Sequence, residues 1–158
     1  MSHSPIRPRI VFDCNLLIQV IVSDDGPAAK CLCLVESRQG ELFTSRPTLG
    51  ELRRVLTYEE ILAISPNMTP QRIGAFVQRL RFRATFVRKI RHVMDYPRDR
   101  RDEPYIDLTV ASKSHYLVTS DTDLLSLMTG HAAICKEFRQ KTSPLRVLDP
   151  VGFLRAIK

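Results

Sequence analysis

The chain has 158 residues, 44% of them hydrophobic and 26% charged, and its 24 Lys plus Arg exceed 17 Asp plus Glu to give a net charge of +7. A chain of this size and composition buries a core without disulfide or metal staples, which excludes a largely disordered protein. Its longest strongly apolar run, Leu16 to Val22, contains Gln19 and falls far short of the roughly 20 residues that a membrane-spanning helix needs. Arg7 and Arg9 precede an apolar stretch broken by Asp13, Asn15 and Gln19, with no small-residue cleavage site of the signal-peptide kind, so a cytoplasmic protein is expected.

One domain is expected over residues 1–158, with its core at about 9–154 and residues 1–8 loose and flexible. The first strand is predicted over Arg9–Asp13 (RIVFD). Pro27 opens a helix over Ala28–Gln39, strand two follows at Glu41–Ser45 (ELFTS), and Pro47 opens a helix over Thr48–Leu56. Thr69-Pro70 combines a polar cap with a first-turn proline and starts a helix to about Arg83. The third strand, Thr85–Val93, carries charge on both phases of its alternation and is therefore less buried than the others. After a looser stretch at Asp95–Glu103, Pro104 begins a helix to Ser114, followed by strand four at Tyr116–Ser120 and a short helix over Thr122–Met128. Gly130–Pro144 reads as loose. Strand five is Leu145–Asp149, and Asp149-Pro150 opens the last helix, Val151–Ile157. Alternation of β-branched runs with helical periodicity makes this an α/β protein with a five-stranded, mainly parallel sheet covered by helices on both faces.

Cysteine and histidine spacing points away from zinc. Cys14, Cys31, Cys33 and Cys135 contain no C-x-x-C pair, and Cys31 and Cys33 lie about 200° apart around a helix. His3, His92, His115 and His131 are scattered, and free thiols in a reducing compartment are the expected state. The positive charge, by contrast, is concentrated. Between Arg72 and Arg101 ten basic residues face only Asp95 and Asp99, so this segment carries +8 and the remainder about −1. A solvated helix face followed by a charged edge strand is the ordinary reading of such a run. Yet Arg outnumbers Lys by 18 to 6, and guanidinium forks suit phosphates, which favours nucleic acid.

In open α/β sheets, ligands bind beyond the carboxyl ends of the strands. Asp13 ends strand one and Asp121 follows strand four, both in apolar surroundings; Glu51 lies on a helix with an apolar stripe of Leu49, Leu52, Val55 and Leu56; Asp102 precedes Pro104. Each has a plain structural role open to it: Asp13, Asp121 and, most readily, Asp102 as helix caps, and Glu51 as partner to Arg53 or Arg54. Jointly, four acids at one sheet edge would repel one another unless a hard divalent cation neutralised them, which favours Mg²⁺ or Mn²⁺.

The segments FDCNLLI, LGELRRVL, RDRRDEPYIDLTVA and YLVTSDTDLL, in this order and at these separations, resemble the PIN-domain family, and within it the bacterial branch of VapC-like toxin components. The resemblance runs from about Arg9 to Leu154. It implies a three-layer α/β/α PIN-like fold and a metal-dependent ribonuclease acting on single-stranded RNA. It further implies that Asp13, Glu51, Asp102 and Asp121 are the catalytic acids, that these four together with Asp123 as the supporting acid of the fourth motif bind the metal, and that Asn15 and Thr119 are orienting polar residues. Cys14 stands where the family commonly has Thr, Ser120 where it has Gly, and Glu103-Pro104 replaces an Asn-led helix start, so Asp99 and Asp107 are alternatives for a share in Asp102's role. On this reading two Mg²⁺ or Mn²⁺ ions, or one joined by a second with substrate, activate water and stabilise the leaving 3′ oxygen. Arg79, Arg83, Arg98, Arg100 and Arg101 would bind RNA. An antitoxin covering the acids and a homodimer are further implications of the resemblance. Two alternatives stay open: a nucleic-acid-binding module of the same fold with incomplete metal ligation, and a phosphohydrolase using Asp13 as covalent nucleophile, which is weakened by Asn15 where that chemistry usually has a second acid.

Overall fold

A computed structural model describes residues 6–158; residues 1–5, which include His3 and most of the segment read as loose, lie outside the described residues. The run Ile10-Val11-Phe12 is apolar on both phases, as a strand covered on both faces must be, and it forms β1 (Arg9–Phe12) at the centre of the sheet. On one side β1 pairs with β2 (Glu41–Thr44), which pairs with β3 (Thr85–Phe86); on the other it pairs with β4 (Tyr116–Val118), which pairs with β5 (Arg146–Leu148). The order is β3-β2-β1-β4-β5 and every pairing is parallel. Ile10 faces Leu42 on one neighbour and Tyr116 on the other, so all these strands end along one edge.

Nine α-helices flank the sheet among the described residues: α1 (Cys14–Val22), α2 (Pro27–Glu36), α3 (Arg46–Val55), α4 (Glu59–Ile64), α5 (Pro70–Arg83), α6 (Glu103–Ala111), α7 (Thr122–Ser126), α8 (Ala133–Thr142) and α9 (Pro150–Ala156). One group packs α2 against α1 and α9, and Phe153 of α9 meets the rings of Phe12 and Tyr116 edge-on at 6.4 and 5.4 Å. A second group places α6 against β1, α3 and α8. Their shared core runs through Ile10, Leu16, Leu52, Ile106, Leu117 and Phe138, and none of the described helices is long and apolar enough to cross a membrane.

Local chemistry explains where helices start. Ser45 and Thr48 form a capping box at α3, Thr69 accepts the Arg72 N–H at 3.2 Å at α5, and Asp149 accepts the Gly152 N–H at 2.7 Å at α9. Three expectations need correction. The third strand ends at Phe86 rather than Val93, because after one further bond, Val87 N–H to the Thr44 carbonyl at 2.9 Å, it has no neighbouring strand and its charged residues run on as irregular chain. Ala133–Thr142 is helical where a loose segment was expected. Its N-cap, Ala132, makes no side-chain bond, and its buried face rests on Cys135, Phe138 and Thr142. The short helix α4, without any buried residue, has no counterpart among the expected elements.

Candidate metal centre

Parallel pairing brings the end of β1 beside the end of β4. The Asp13 N–H continues the ladder to the Val118 carbonyl at 3.0 Å, and the Thr119 N–H does the same to Leu148 at 3.0 Å. Thr119 is fully buried and works in two directions: its hydroxyl donates to Asp13 Oδ2 at 2.7 Å and its oxygen accepts the Asp121 N–H at 3.0 Å. Asp13 Oδ1 accepts the Cys14 N–H at 2.7 Å, and Asp121 accepts the Asp123 N–H at 2.8 Å. Both aspartates therefore cap a helix, and the cap role coexists with membership of the acidic group instead of competing with it.

Asp102 behaves differently. It closes a single 3-10 turn over Arg100–Asp102 and occupies the N-cap position of α6, but its side chain makes no capping bond. Asp102 is 7% exposed, and its Oδ2 is buried without any hydrogen-bond partner. Burial, followed by the charges of Asp13, Asp99, Asp121 and Glu51, pushes its pKa up to about 8. Glu51, half-buried on α3, is pushed up to about 6 by burial and by Asp13, with Arg101 and Arg54 pulling the other way. Asp13 is raised mainly by burial, offset by its bonds from Thr119 and Cys14 and augmented by Asp121 and Asp99. Asp102 thus lies in the field of the other three acids named from the sequence. Beneath them the Cys14 thiol is pushed up to about 12 by burial and by Glu51 and Asp13.

Neighbouring residues sort themselves around this group. Asp99 sits in the same field, but Arg101 grips it through Nε at 3.1 Å and holds its carboxyl below the usual range. Asp107 is engaged elsewhere, accepting the Val93 N–H at 2.8 Å and facing His92 at 3.3 Å. Asp123 is paired with Arg98 at 3.4 Å, and Asn15 is exposed on the first turn of α1.

An unpartnered buried carboxylate oxygen among like charges is the environment a hard cation with oxygen ligands would satisfy. Asp13, Glu51, Asp102 and Asp121 are the residues that could hold one. Among the described residues, the one group whose ligand atoms already lie within 4.8 Å of one another is a different one, His92, Asp95 and Glu103. These atoms have protein partners: His92 bridges Asp95 at 2.9 Å and Asp107, and Glu103 accepts the Tyr96 N–H at 2.8 Å. The group's only signal in the sequence is the three-residue spacing of His92 and Asp95. Nothing else in the sequence marks these three residues as a group.

A family model described as PIN domain matches residues 9–123, a span that contains all four acids. The chain belongs to the PIN-domain family. PIN domains are generally nucleases that act on nucleic acids and typically use divalent metal ions. No curated protein matches the chain. In this PIN domain the basic residues singled out from the sequence differ in their surroundings. Arg79 forms a two-pronged pair with Glu36 of α2, its Nε at 2.7 Å. Arg83 lies over the Phe82 ring at 5.1 Å, and Arg98, Arg100 and Arg101 each face a carboxylate, Asp123, Glu103 and Asp99 respectively.

Proposed function

We propose that this PIN domain is an endoribonuclease that cleaves single-stranded RNA with Mg²⁺ or Mn²⁺ held by Asp13, Glu51, Asp102 and Asp121. The observation that carries the reading is the buried, unpartnered Oδ2 of Asp102 beside like-charged groups that raise its pKa to about 8. A divalent cation there supplies the acidity that turns water into a nucleophile at neutral pH and the positive charge that stabilises the leaving oxygen. The chain's own part is to fix its ligands. Thr119 and the Cys14 N–H hold Asp13 by both oxygens, the Asp123 N–H orients Asp121, and α3 presents Glu51. Asp102 would have to be deprotonated to serve as a ligand, so cation affinity should rise with pH through the neutral range. The residues Arg98, Arg100 and Arg101 form a cationic rim next to Asp102, within reach of a phosphate backbone. We further assign the chain to the toxin side of a toxin–antitoxin pair, with a homodimeric form and an antitoxin that covers the acids, on the likeness of its motifs to the VapC-like branch.

Incubation of a fluorescently labelled single-stranded RNA with the purified protein tests the activity. Cleavage with added Mg²⁺ or Mn²⁺ that stops with a chelator is expected, and cleavage that survives exhaustive chelation overturns the mechanism. RNA binding without any metal-dependent cleavage would instead establish the module with incomplete ligation.

A further inference from the structure

Eight of the arginines of this PIN domain form two contrasting sets. Arg79, Arg98, Arg100 and Arg101 are paired with carboxylates, whereas Arg46, Arg53, Arg81 and Arg88 make no ion pair among the described residues. The second set converges. Two hollows, of about 370 and about 540 Å³, share Arg46, Arg81 and Phe86 in their walls; Arg53 lines the first and Arg88 the second. No carboxylate lines either of them. Phe86, an aromatic residue on an edge strand, is 38% exposed in this wall.

The placement relative to the acids is fixed by the sheet. Phe86 pairs with Thr44 at the carboxyl end of β2, so the hollow opens at the same sheet edge as Asp13 and Asp121. On α3, Arg46, Gly50 and Arg53 follow one another at i, i+4 and i+7 and share a face, while Glu51 lies about 100° around from Gly50. One helix therefore carries a candidate metal ligand on one flank and the wall of the hollow on the next.

Resting on the nucleic-acid reading above, we infer that this hollow is a nucleotide subsite for single-stranded RNA, in which a base stacks on Phe86 and the flanking phosphates are gripped by Arg46, Arg53, Arg81 and Arg88. Four unpaired guanidinium groups around an exposed ring are the two ingredients of single-strand recognition, phosphate neutralisation and a stacking platform. The volume suits a ligand of nucleotide size, and a base can reach the ring only when it is unpaired. An acidic peptide would use the guanidinium groups and leave the ring idle.

The test is equilibrium binding, by fluorescence anisotropy in chelator, of a short single-stranded oligoribonucleotide and of its abasic counterpart. The wild type should prefer the base-bearing strand by roughly 5- to 100-fold, and Phe86→Ala should abolish that preference. Arg46→Gln with Arg81→Gln should flatten the salt dependence by about 1.4 in log–log slope, two phosphate contacts' worth for a single strand. Gly50→Gln is the control for folding, since a Cβ there meets nothing within 4 Å; it should melt no lower than wild type yet bind RNA more weakly, its side chain filling the hollow. Equal affinity of the wild type for the two strands, or unchanged RNA binding by both Phe86→Ala and Gly50→Gln, overturns the subsite. So does an acidic peptide that displaces RNA equally from wild type and Phe86→Ala. Base preference without cleavage in any metal supports the subsite while refuting the nuclease reading; metal-dependent cleavage with unchanged binding by the variants does the reverse.

Discussion

Replacing Asp102 by Asn should stabilise the metal-free protein, by an amount that grows with pH. The folded chain holds this carboxyl at a pKa of about 8 against an ordinary 3.8, through burial first and then the charges of Asp13, Asp99, Asp121 and Glu51. Between those values the folded state keeps a proton that the unfolded chain has released. The stability tied to this group is therefore intact below about pH 4, declines as pH rises and is lost by about pH 8. Each tenfold change in proton activity is worth about 1.4 kcal/mol, which sets a ceiling of about 4 kcal/mol at pH 7. Local relaxation and water entry lower the real cost of a buried charge, so a gain of about 1–3 kcal/mol is expected, or roughly 2–12 °C in Tm for a chain of this size. At about pH 4 the two proteins should melt together, because Asp and Asn are then both neutral in the fold. Saturating Mn²⁺ should reverse the order: a cation at about 100 times its Kd adds about 2.7 kcal/mol to the wild type, and the variant would lack one of the proposed ligands. Thermal melts at several pH values, with chelator and with Mn²⁺, read all of this. A variant that is less stable than wild type by the same margin at every pH would refute the argument, since it would make Asp102 an ordinary structural residue.

Other outcomes follow from the same geometry. Thr119→Val removes the donor to Asp13 and the acceptor of the Asp121 N–H, so it should cost about 1–3 kcal/mol in denaturant unfolding and weaken Mn²⁺ binding, while Thr119→Ser keeps most of both. A neutral Thr119→Val would show that the hydroxyl does not tie the two strand ends. Of the four free cysteines only Cys33 is exposed, and burial pushes the thiols of Cys14 and Cys31 up to about 12. A thiol reagent should therefore label one cysteine quickly in the native protein and four after denaturation, and a second fast thiol would contradict the packing.

How legible each part was in the sequence depends on whether its signal was local. Helix α5 spans Pro70–Arg83, as predicted, because Thr69, Pro70 and the apolar spacing all speak within one turn of each other. The strands β1, β2 and β4 begin at the predicted residues for a similar reason: each is a short apolar run bounded by polar chain. Residues 87–93 misled because alternation of apolar and charged residues shows that a segment is extended, while the presence of a neighbour to pair with is a property of the whole sheet. Helix α8 was hidden by the absence of a cap and by a buried face that includes a cysteine and a threonine. Within the candidate centre, Asp13 and Asp121 were visible as carboxylates at strand ends. The lack of a capping bond at Asp102 was not, because the same Asp-x-Pro pattern serves an ordinary cap. The hollow around Phe86 was beyond reach of the sequence for a plainer reason: it joins residues from α3, α5 and the end of β3, which the packing of α3 on α5 and the β2–β3 pairing make neighbours.

The hydrogen bond from Thr119 to Asp13 joins residues 106 positions apart, and it has a meaning for the chain's own synthesis. A nascent polypeptide that has emerged only as far as α6 already holds Asp13, Glu51 and Asp102, yet it lacks the β4 segment that docks on β1 and delivers both Thr119 and Asp121. Contacts of such long separation form late, after local helices. The acidic group is consequently completed only when most of the protein has left the ribosome. Of the four acids, only Asp121 therefore waits on the late docking of β4 beside β1.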